Sequence, residues 1–415
     1  TEAAERSSGR FVQLADRVAR IYAPAVHVLS AATFLGWIAV GAGWHAALTA
    51  AVAVLIITCP CALGLAVPAV RVVASGILIK NGVLLKDGAA LEKLAEIDTV
   101  IFDKTGTLTV GAPRFVNTQA ADDAAWRVAA ALAETSRHPL AQALKAEADK
   151  RGARPVGMRE IVEKPGLGMQ GRLDGQIVRL GRPRWVFEND GQFSYGIGAD
   201  NGDAEIGLRI GKGPVAVFRF SDRLRPEAPA AVASLSKSGL AVSLVSGDNE
   251  AAAARIACEA GISDWRAGCL PADKTGIVSA HQQAGGKVLM IGDGINDAPA
   301  LASAFVAMSP ASASNISQTA ADIVFTSNDL TAVPFAWRMA RAARRMVLQN
   351  FALAVGYNAI AVPLAISGFA TPLIAAIAMS SSSILVTTNA LRLHLTSRRR
   401  DAGERPQFGL KELAA

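Results

Sequence analysis

Charge is scarce in this sequence. Only 19% of its 415 residues are Asp, Glu, Lys or Arg, against about 25% in typical soluble domains. Hydrophobic residues make up 51%, and the mean hydropathy is +0.30. A chain this apolar is neither disordered nor collagen-like. Aromatic residues, at 6%, are too few for base-stacking platforms. The four cysteines, Cys59, Cys61, Cys258 and Cys269, exclude a disulfide-framed mini-protein. Two of them stand one residue apart in an apolar run. That is too close for an ordinary structural disulfide, so free thiols in a reducing compartment are expected. At about 150 residues per domain, the length predicts two or three domains. The first residue is Thr1, with no charged-then-apolar leader before it. A piece of a longer or processed protein is the expectation.

The apolar excess is concentrated. Residues Ile21 to Gly43, Ala46 to Val70, Leu348 to Ile366 and Ala370 to Leu391 form four runs without a charged side chain. Each is near the ~20 residues that span hydrocarbon. The joins, around Gly43–Trp44 and at Ser367–Gly368–Phe369, are short, which predicts two antiparallel hairpins. A soluble core of this length has no room for four such runs. Arginines and lysines flank them on one side only. Arg6, Arg10, Arg17 and Arg20 precede the first run, and Arg71, Lys80 and Lys86 follow the second. Arg338, Arg341, Arg344 and Arg345 precede the third, and Arg392, Arg398, Arg399 and Arg400 follow the fourth. The hairpin tips carry none, so both termini and the middle of the chain are predicted to be cytoplasmic. The net charge of +7 is then juxtamembrane anchoring in lipid, not nucleic-acid binding.

From about Ile97 to Trp337 the pattern changes. Short β-branched runs such as Thr99–Phe102, Ala241–Val245 and Val288–Ile291 alternate with Ala-rich helical stretches, and Gly- and Asp-rich turns follow the runs. This predicts a parallel α/β sheet with ligands at the carboxyl ends of its strands.

The turn Asp103–Lys104–Thr105–Gly106–Thr107 follows the first strand. A carboxylate there is exposed for attack and can serve as a nucleophile in phosphoryl transfer. Gly292–Asp293–Gly294–Ile295–Asn296–Asp297 follows another. Its two carboxylates could hold Mg²⁺ beside a phosphoryl group, although a lone Gly-Asp-Gly is also an ordinary loop. Ser246–Gly247–Asp248 offers a hydroxyl and backbone donors. Lys274 could supply a fixed cation, or be an ordinary surface lysine.

These pieces together resemble the haloacid-dehalogenase-like phosphorylation domain of P-type ATPases. The resemblance extends over essentially the whole chain and implies a fold class: α/β plus transmembrane α. A Rossmann-like phosphorylation domain would carry an inserted α+β nucleotide-binding domain, with four transmembrane helices in two hairpins. The expected boundaries are a lead-in at 1–20, a hairpin at 21–71, stalk and first phosphorylation segment at 72–118, and the nucleotide domain at 119–214. The second phosphorylation segment follows at 215–337, the second hairpin at 338–395 and a tail at 396–415. By carry-over, Asp103 is the phosphorylated residue, assisted by Lys104, Thr105, Ser246, Gly247, Asp248 and Lys274. Mg²⁺ would be held by Asp103, Thr105, Asp293 and Asp297. ATP would meet Glu134, His138 (before Pro139), Gly166 and Gly168 in Pro165–Gly166–Leu167–Gly168.

Inside the second run lies Cys59–Pro60–Cys61. Pro60 has no N–H, so the helix must open at the carbonyl of Ile56. In lipid an opening is tolerated only where it faces protein or a cavity. The break could turn both thiols toward one ion, and thiolates select Cu(I) and also Zn²⁺. A kinked helix holding two small apolar cysteines is the plainer reading. Asn350, Tyr357 and Asn358 on the third run, and Met379, Ser382 and Ser383 on the fourth, are polar or soft residues in lipid. Such residues are usually functional, or are interhelical glue. Their set resembles the copper(I) branch, and its closing hairpin resembles the subgroup associated with nitrogen fixation and cytochrome oxidase assembly. The resemblance implies one Cu(I) site at Cys59, Cys61 and Tyr357 and a second at Asn358, Met379 and Ser383. It also implies a possible cytoplasmic copper chaperone as donor and a place in the inner membrane of a bacterium. The family's Thr-Gly-Glu actuator loop and upstream spans do not occur in this sequence, and Ser246 stands where Thr is usual. The expectation is ATP-driven Cu(I) export through an aspartyl-phosphate, with this chain as the C-terminal part. Ag(I) or Zn(II) are alternative cargoes. A membrane-tethered phosphatase and a non-cycling metal-binding remnant are alternative functions.

Overall fold

The computed structural model describes residues 10–398 apart from 60, 120, 137, 165, 188–203, 294 and 327–328. Pro60, Pro165, Gly294, Arg6, Arg399 and Arg400 therefore lie outside the described residues, as do 1–9 of the lead-in and 399–415 of the tail.

The first helix, α1 (Arg10–Ala39), carries the first uncharged run and ends where Gly41 and Gly43 take positive φ, a conformation that favours glycine. Helix α2 (Trp44–Ile57) follows and stops at Thr58, whose hydroxyl donates to the Val54 carbonyl at 2.6 Å. Helix α3 (Cys61–Lys80) then begins. The second uncharged run is thus two helices around a break, which falls where a proline interrupts the ladder, although Pro24, Pro68 and Pro363 lie inside unbroken helices. Strand β1 (Val83–Leu85) and helix α4 (Ala90–Leu94) complete this stretch.

The chain divides into two compact units at Ile97/Asp98 and again near Ala321/Asp322. In the second unit, β2 (Thr99–Asp103) is buried along its whole length. An unbroken apolar strand is what a sheet covered on both faces needs. The chain leaves this layer for a second sheet. Its elements are β3 (Arg114–Gln119), α5 (Asp123–Ala133), α6 (Pro139–Lys150), β4 (Arg159–Lys164), β5 (Gly168–Leu173), β6 (Gln176–Gly181), the one-turn α7 (Pro183–Val186), β7 (Ala204–Ile210) and β8 (Val215–Ser221). The six strands are antiparallel in the order β3-β8-β7-β6-β5-β4. Trp126, Leu132 and Leu144 from the two long helices share one apolar cluster with Phe218 and Phe220 of β8. This sheet runs from Arg114 to Ser221, so β3 and β8 flank the expected 119–214 window.

The chain then returns to the first layer with α8 (Ala228–Lys237), β9 (Ala241–Val245), α9 (Glu250–Ala260), β10 (Asp264–Arg266), α10 (Pro271–Gln283), β11 (Val288–Ile291), α11 (Ala298–Ser303), β12 (Val306–Pro310) and α12 (Asn315–Ala320). Five strands run parallel in the order β12-β11-β2-β9-β10. All end on one edge, so the turns after β2, β9 and β11 meet there.

In the first unit, β13 (Ile323–Phe325) pairs antiparallel with β1. The long α13 (Ala332–Ile366) and α14 (Pro372–Arg398) follow, joined at Gly368 with φ 79°. Helix α3 packs against both, and so does α2. Among the described residues, two helices are long and apolar enough to cross a membrane alone, Ala332–Ile366 and Pro372–His394; the apolar helices Pro24–Ala39 and Trp44–Ile57 are shorter. The second hairpin thus has the length and composition of two spans, while the break after Ile57 shortens the helices of the first. Val28, Ile360 and Leu373 are about 70% exposed on these helices, as side chains facing lipid are.

Candidate functional site

The carboxyl edge of the parallel strands gathers the site. Asp103 closes β2, and its neighbours across the sheet are β11 and β9. The chain next takes a tight loop, with Gly106 at φ 68°. Oxygens of Asp103, Asp293 and Asp297 lie within 4.8 Å of one another. Lys274, near the start of α10, donates to Asp103 Oδ1 at 2.5 Å and to Asp297 Oδ1 at 2.6 Å. Lys104 pairs with Asp248, and Ser246 Oγ accepts from the Asp248 N–H at 3.1 Å. Thr105 lies exposed on the loop, and Gly247 follows Ser246 at the turn after β9. The sequence-predicted residues Asp103, Lys104, Ser246, Asp248, Lys274, Asp293 and Asp297 are thus gathered at one sheet edge.

Electrostatics here are dominated by crowded acid. Burial and the Asp297 charge push Asp103 up to about 7, although Lys274 pulls it down. Burial, then Asp297, pushes Asp293 up to about 6. For Lys274, burial works downward, yet Asp103 and Asp297 raise it overall, so it stays protonated. Three carboxylates share the Lys274 ammonium and, at Asp293, the Arg225 charge, which leaves an excess of acid. Hard oxygens at this spacing suit Mg²⁺, so the donor set fits the ion. When bound, Mg²⁺ would neutralise phosphate oxygens and lower the carboxylate repulsion.

One residue that sequence reasoning missed holds this loop. Arg225, 6% exposed, donates from Nε to the carbonyls of Thr107 (2.9 Å) and Thr109 (3.2 Å) and from Nη2 to that of Gly106 (2.9 Å). A planar guanidinium offers its donors in a fixed fork that a lysine ammonium lacks. Thr109, which also pairs with Asp222, ties the loop back to Lys104. The only signal was a cation-rich turn, Asp222–Arg223–Leu224–Arg225–Pro226, where the chain re-enters the parallel layer.

The expected nucleotide residues lie on and beside the antiparallel sheet. His138 caps α6: its Nδ1 accepts from the Leu140 N–H at 3.2 Å. That bond assigns the other ring nitrogen, Nε2, as the outward donor. Glu134, at the end of α5, pairs with Lys145 at 3.3 Å. Gly166 takes φ 74° with open space around it. At Gly168 (φ 146°) a Cβ would lie 2.2 Å from the Leu180 carbonyl oxygen, so the neighbouring strand β6 by itself requires glycine there.

In the membrane helices, one expectation is corrected. Cys59 and Cys61 are bonded to each other as a disulfide, with Cα atoms 5.4 Å apart. The one-residue spacing is not too short, because the helix is interrupted there. Both side chains then reach one point instead of two faces. Tyr357 and Asn358 sit in the last third of α13, half-buried. The Tyr357 hydroxyl and Asn358 Oδ1 are buried with no hydrogen-bond partner among the described residues. Met379 and Ser383 are stacked one turn apart on α14, the Ser383 hydroxyl donating to the Met379 carbonyl at 3.3 Å. Asn350 plays the glue role: fully buried, it donates to the Ala66 carbonyl at 3.4 Å and accepts from Asn389 Nδ2 at 2.8 Å. Asn389 and Tyr22 had not been singled out from the sequence.

Comparison with known proteins agrees with this geometry. Residues 97–304 match the family model for haloacid dehalogenase-like hydrolases. The chain is 48% identical over 392 residues to the nitrogen fixation protein FixI of Rhizobium meliloti (strain 1021), covering 94% of this chain and 50% of that protein. It is 36% identical over 400 residues to the copper-exporting P-type ATPase of Mycobacterium tuberculosis (strain ATCC 25618 / H37Rv), covering 94% and 52%. The crystal structure of a zinc-transporting PIB-type ATPase in the E2.Pi state superposes with a TM-score of 0.76 at 30% identity, over 92% of this chain and 66% of that one. The chain spans about half the length of the curated relatives it matches. A haloacid dehalogenase-like layer, an inserted antiparallel sheet and membrane helices, all in one order along one chain, place this protein in the heavy-metal P-type ATPase family.

Proposed function

We propose that this chain is the catalytic and C-terminal membrane part of a pump that exports Cu(I) from the cytoplasm at the expense of ATP, in the inner membrane of a bacterium. The observation that carries the catalytic half is the Asp103–Lys274–Asp297 contact at the strand edge. Asp103 is held by one ammonium, so one of its oxygens is directed while the other is left to attack the γ-phosphorus of ATP. A bond forms between that oxygen and phosphorus, and the bond to the bridging oxygen of ADP breaks. Lys274 remains to balance the phosphoryl oxygens, and Ser246 offers its hydroxyl to them. The nucleotide reaches Asp103 from the antiparallel sheet, where His138 presents Nε2–H and Glu134 an acceptor.

Copper is supported by chemistry. The helix break brings two sulfurs to one point, and in the reduced, dithiol form these are soft donors. The other polar groups in the runs are neutral: Tyr357, Asn358, Met379 and Ser383. A monovalent ion among two thiolates and neutral donors buries little net charge. The copper-exporting relative favours the same cargo, and the likeness to the nitrogen fixation protein FixI favours a pump that serves nitrogen fixation. A soluble copper chaperone is the donor this scheme needs. The zinc-transporting structural relative keeps Zn(II) as the second reading. It is disfavoured by the lack of any Asp or Glu in the four apolar runs.

The test is phosphorylation by labelled ATP in native membranes, with Cu(I), with Zn²⁺ and with a Cu(I) chelator. Acid-stable, hydroxylamine-sensitive label that requires Cu(I) and vanishes in Asp103→Asn is expected. Label that ignores Cu(I) and Cys59→Ala would overturn the transport reading.

A further inference from the structure

The membrane helices hold a polar cluster that extends beyond α13. Asn358 Nδ2 donates to the phenol oxygen of Tyr22 at 3.3 Å. Tyr22 is on α1, 336 positions away. Next to this contact, two oxygens are buried without a partner among the described residues: Asn358 Oδ1 and the Tyr357 hydroxyl. Buried polar atoms without a partner are rare in folded proteins.

An asparagine amide has two ends of similar shape and opposite function. Only Oδ1 can bind a cation; Nδ2 would repel it. Something must set which end faces the path. A phenol oxygen that takes the Nδ2–H holds the donor end and leaves Oδ1 free. We propose that Tyr22 is a positioning residue of the ion path. It orients the Asn358 amide so that Oδ1 is presented to the passing metal ion.

This inference rests on the reading of Asn358 as part of a soft-metal path. It adds α1, a helix on which sequence reasoning placed no ligand, to the machinery that prepares that path. The apolar body of Tyr22 suits lipid-depth packing, and its hydroxyl is the only atom lost in Tyr22→Phe. The partners that orient metal ligands commonly alter metal affinity by about tenfold or more when removed.

The experiment measures Cu(I)-dependent phosphorylation in native membranes, titrating Cu(I) with a chromophoric chelator as buffer. Tyr22→Phe should raise the Cu(I) concentration for half-maximal label about tenfold and leave the maximal label unchanged. Combined with Asn358→Ala, it should add nothing further, because its effect passes through that amide. Tyr22→His, which keeps an acceptor nitrogen, should recover part of the affinity. An unchanged half-maximal concentration in Tyr22→Phe would overturn the proposal. So would an effect that adds fully to that of Asn358→Ala. If wild-type label itself ignores Cu(I), the pump reading fails first and this inference falls with it, and the wild-type titration alone reveals that.

Discussion

A methyl group placed on Gly106 would stand 1.5 Å from Oδ2 of Asp293. The backbone of the loop after Asp103 and the carboxylate of a turn 187 positions later therefore occupy adjoining space that only a hydrogen can share. Gly106 also has φ 68°, which an L side chain rarely adopts. Gly106→Ala should push Asp293 away from Asp103 and cut the rate of phosphorylation by labelled ATP about a hundredfold. Nucleotide binding, measured by equilibrium dialysis, should stay within twofold of wild type. A normally phosphorylated Gly106→Ala protein would contradict this geometry.

Lys274 answers for two buried carboxylates. In Lys274→Met, Asp103 and Asp297 lose their cation and repel each other. Without Mg²⁺ the protein should lose about 3 kcal/mol of stability at neutral pH, read by chemical denaturation. The loss should shrink near pH 5, where the carboxylates protonate.

Arg225 predicts a split between stability and binding. Arg225→Lys keeps the charge but loses the fork that holds three carbonyls. Loosening of the loop should lower stability by about 2 kcal/mol and slow phosphorylation, with the affinity for ATP unchanged. A variant as stable and as active as wild type would show that the loop holds itself.

The raised acids make a pH prediction. Asp103 stands near 7 and Asp293 near 6 in the folded protein, against about 4 when unfolded. Between about pH 4 and 7 the folded state binds protons that the unfolded state has released. Stability contributed by these groups is full below the unfolded value and is lost as pH rises through the folded one. Mg²⁺ competes with those protons. Its addition should raise the melting temperature strongly near pH 8 and weakly near pH 5. Equal shifts at both values would mean the ion binds elsewhere.

Much of this was legible in the residues. Asp103, Asp293 and Ser246 each follow an apolar strand, so their place on one sheet edge could be read directly. The helix break at Cys59–Cys61 followed from one proline. The pairing of those sulfurs was misjudged, because spacing rules for intact chain segments do not hold at a break. Gly168 read as a ligand-approach glycine, yet β6 already demands it, and no local pattern shows which neighbour will press on a backbone.

What the sequence determined alone is what local pattern controls: where the strands and apolar helices lie, which turns carry acid, and where a helix cannot continue. These follow from side-chain period, backbone donors and the transfer of apolar groups from water. Tertiary structure decided the partners. Arg225 reaches back 118 positions to Thr107, Asn389 meets Asn350 across two helices, and Tyr22 meets Asn358 across nearly the whole chain. Such contacts depend on helix rotation and strand register. Those are set by the packing of the whole fold and not by any short stretch of it.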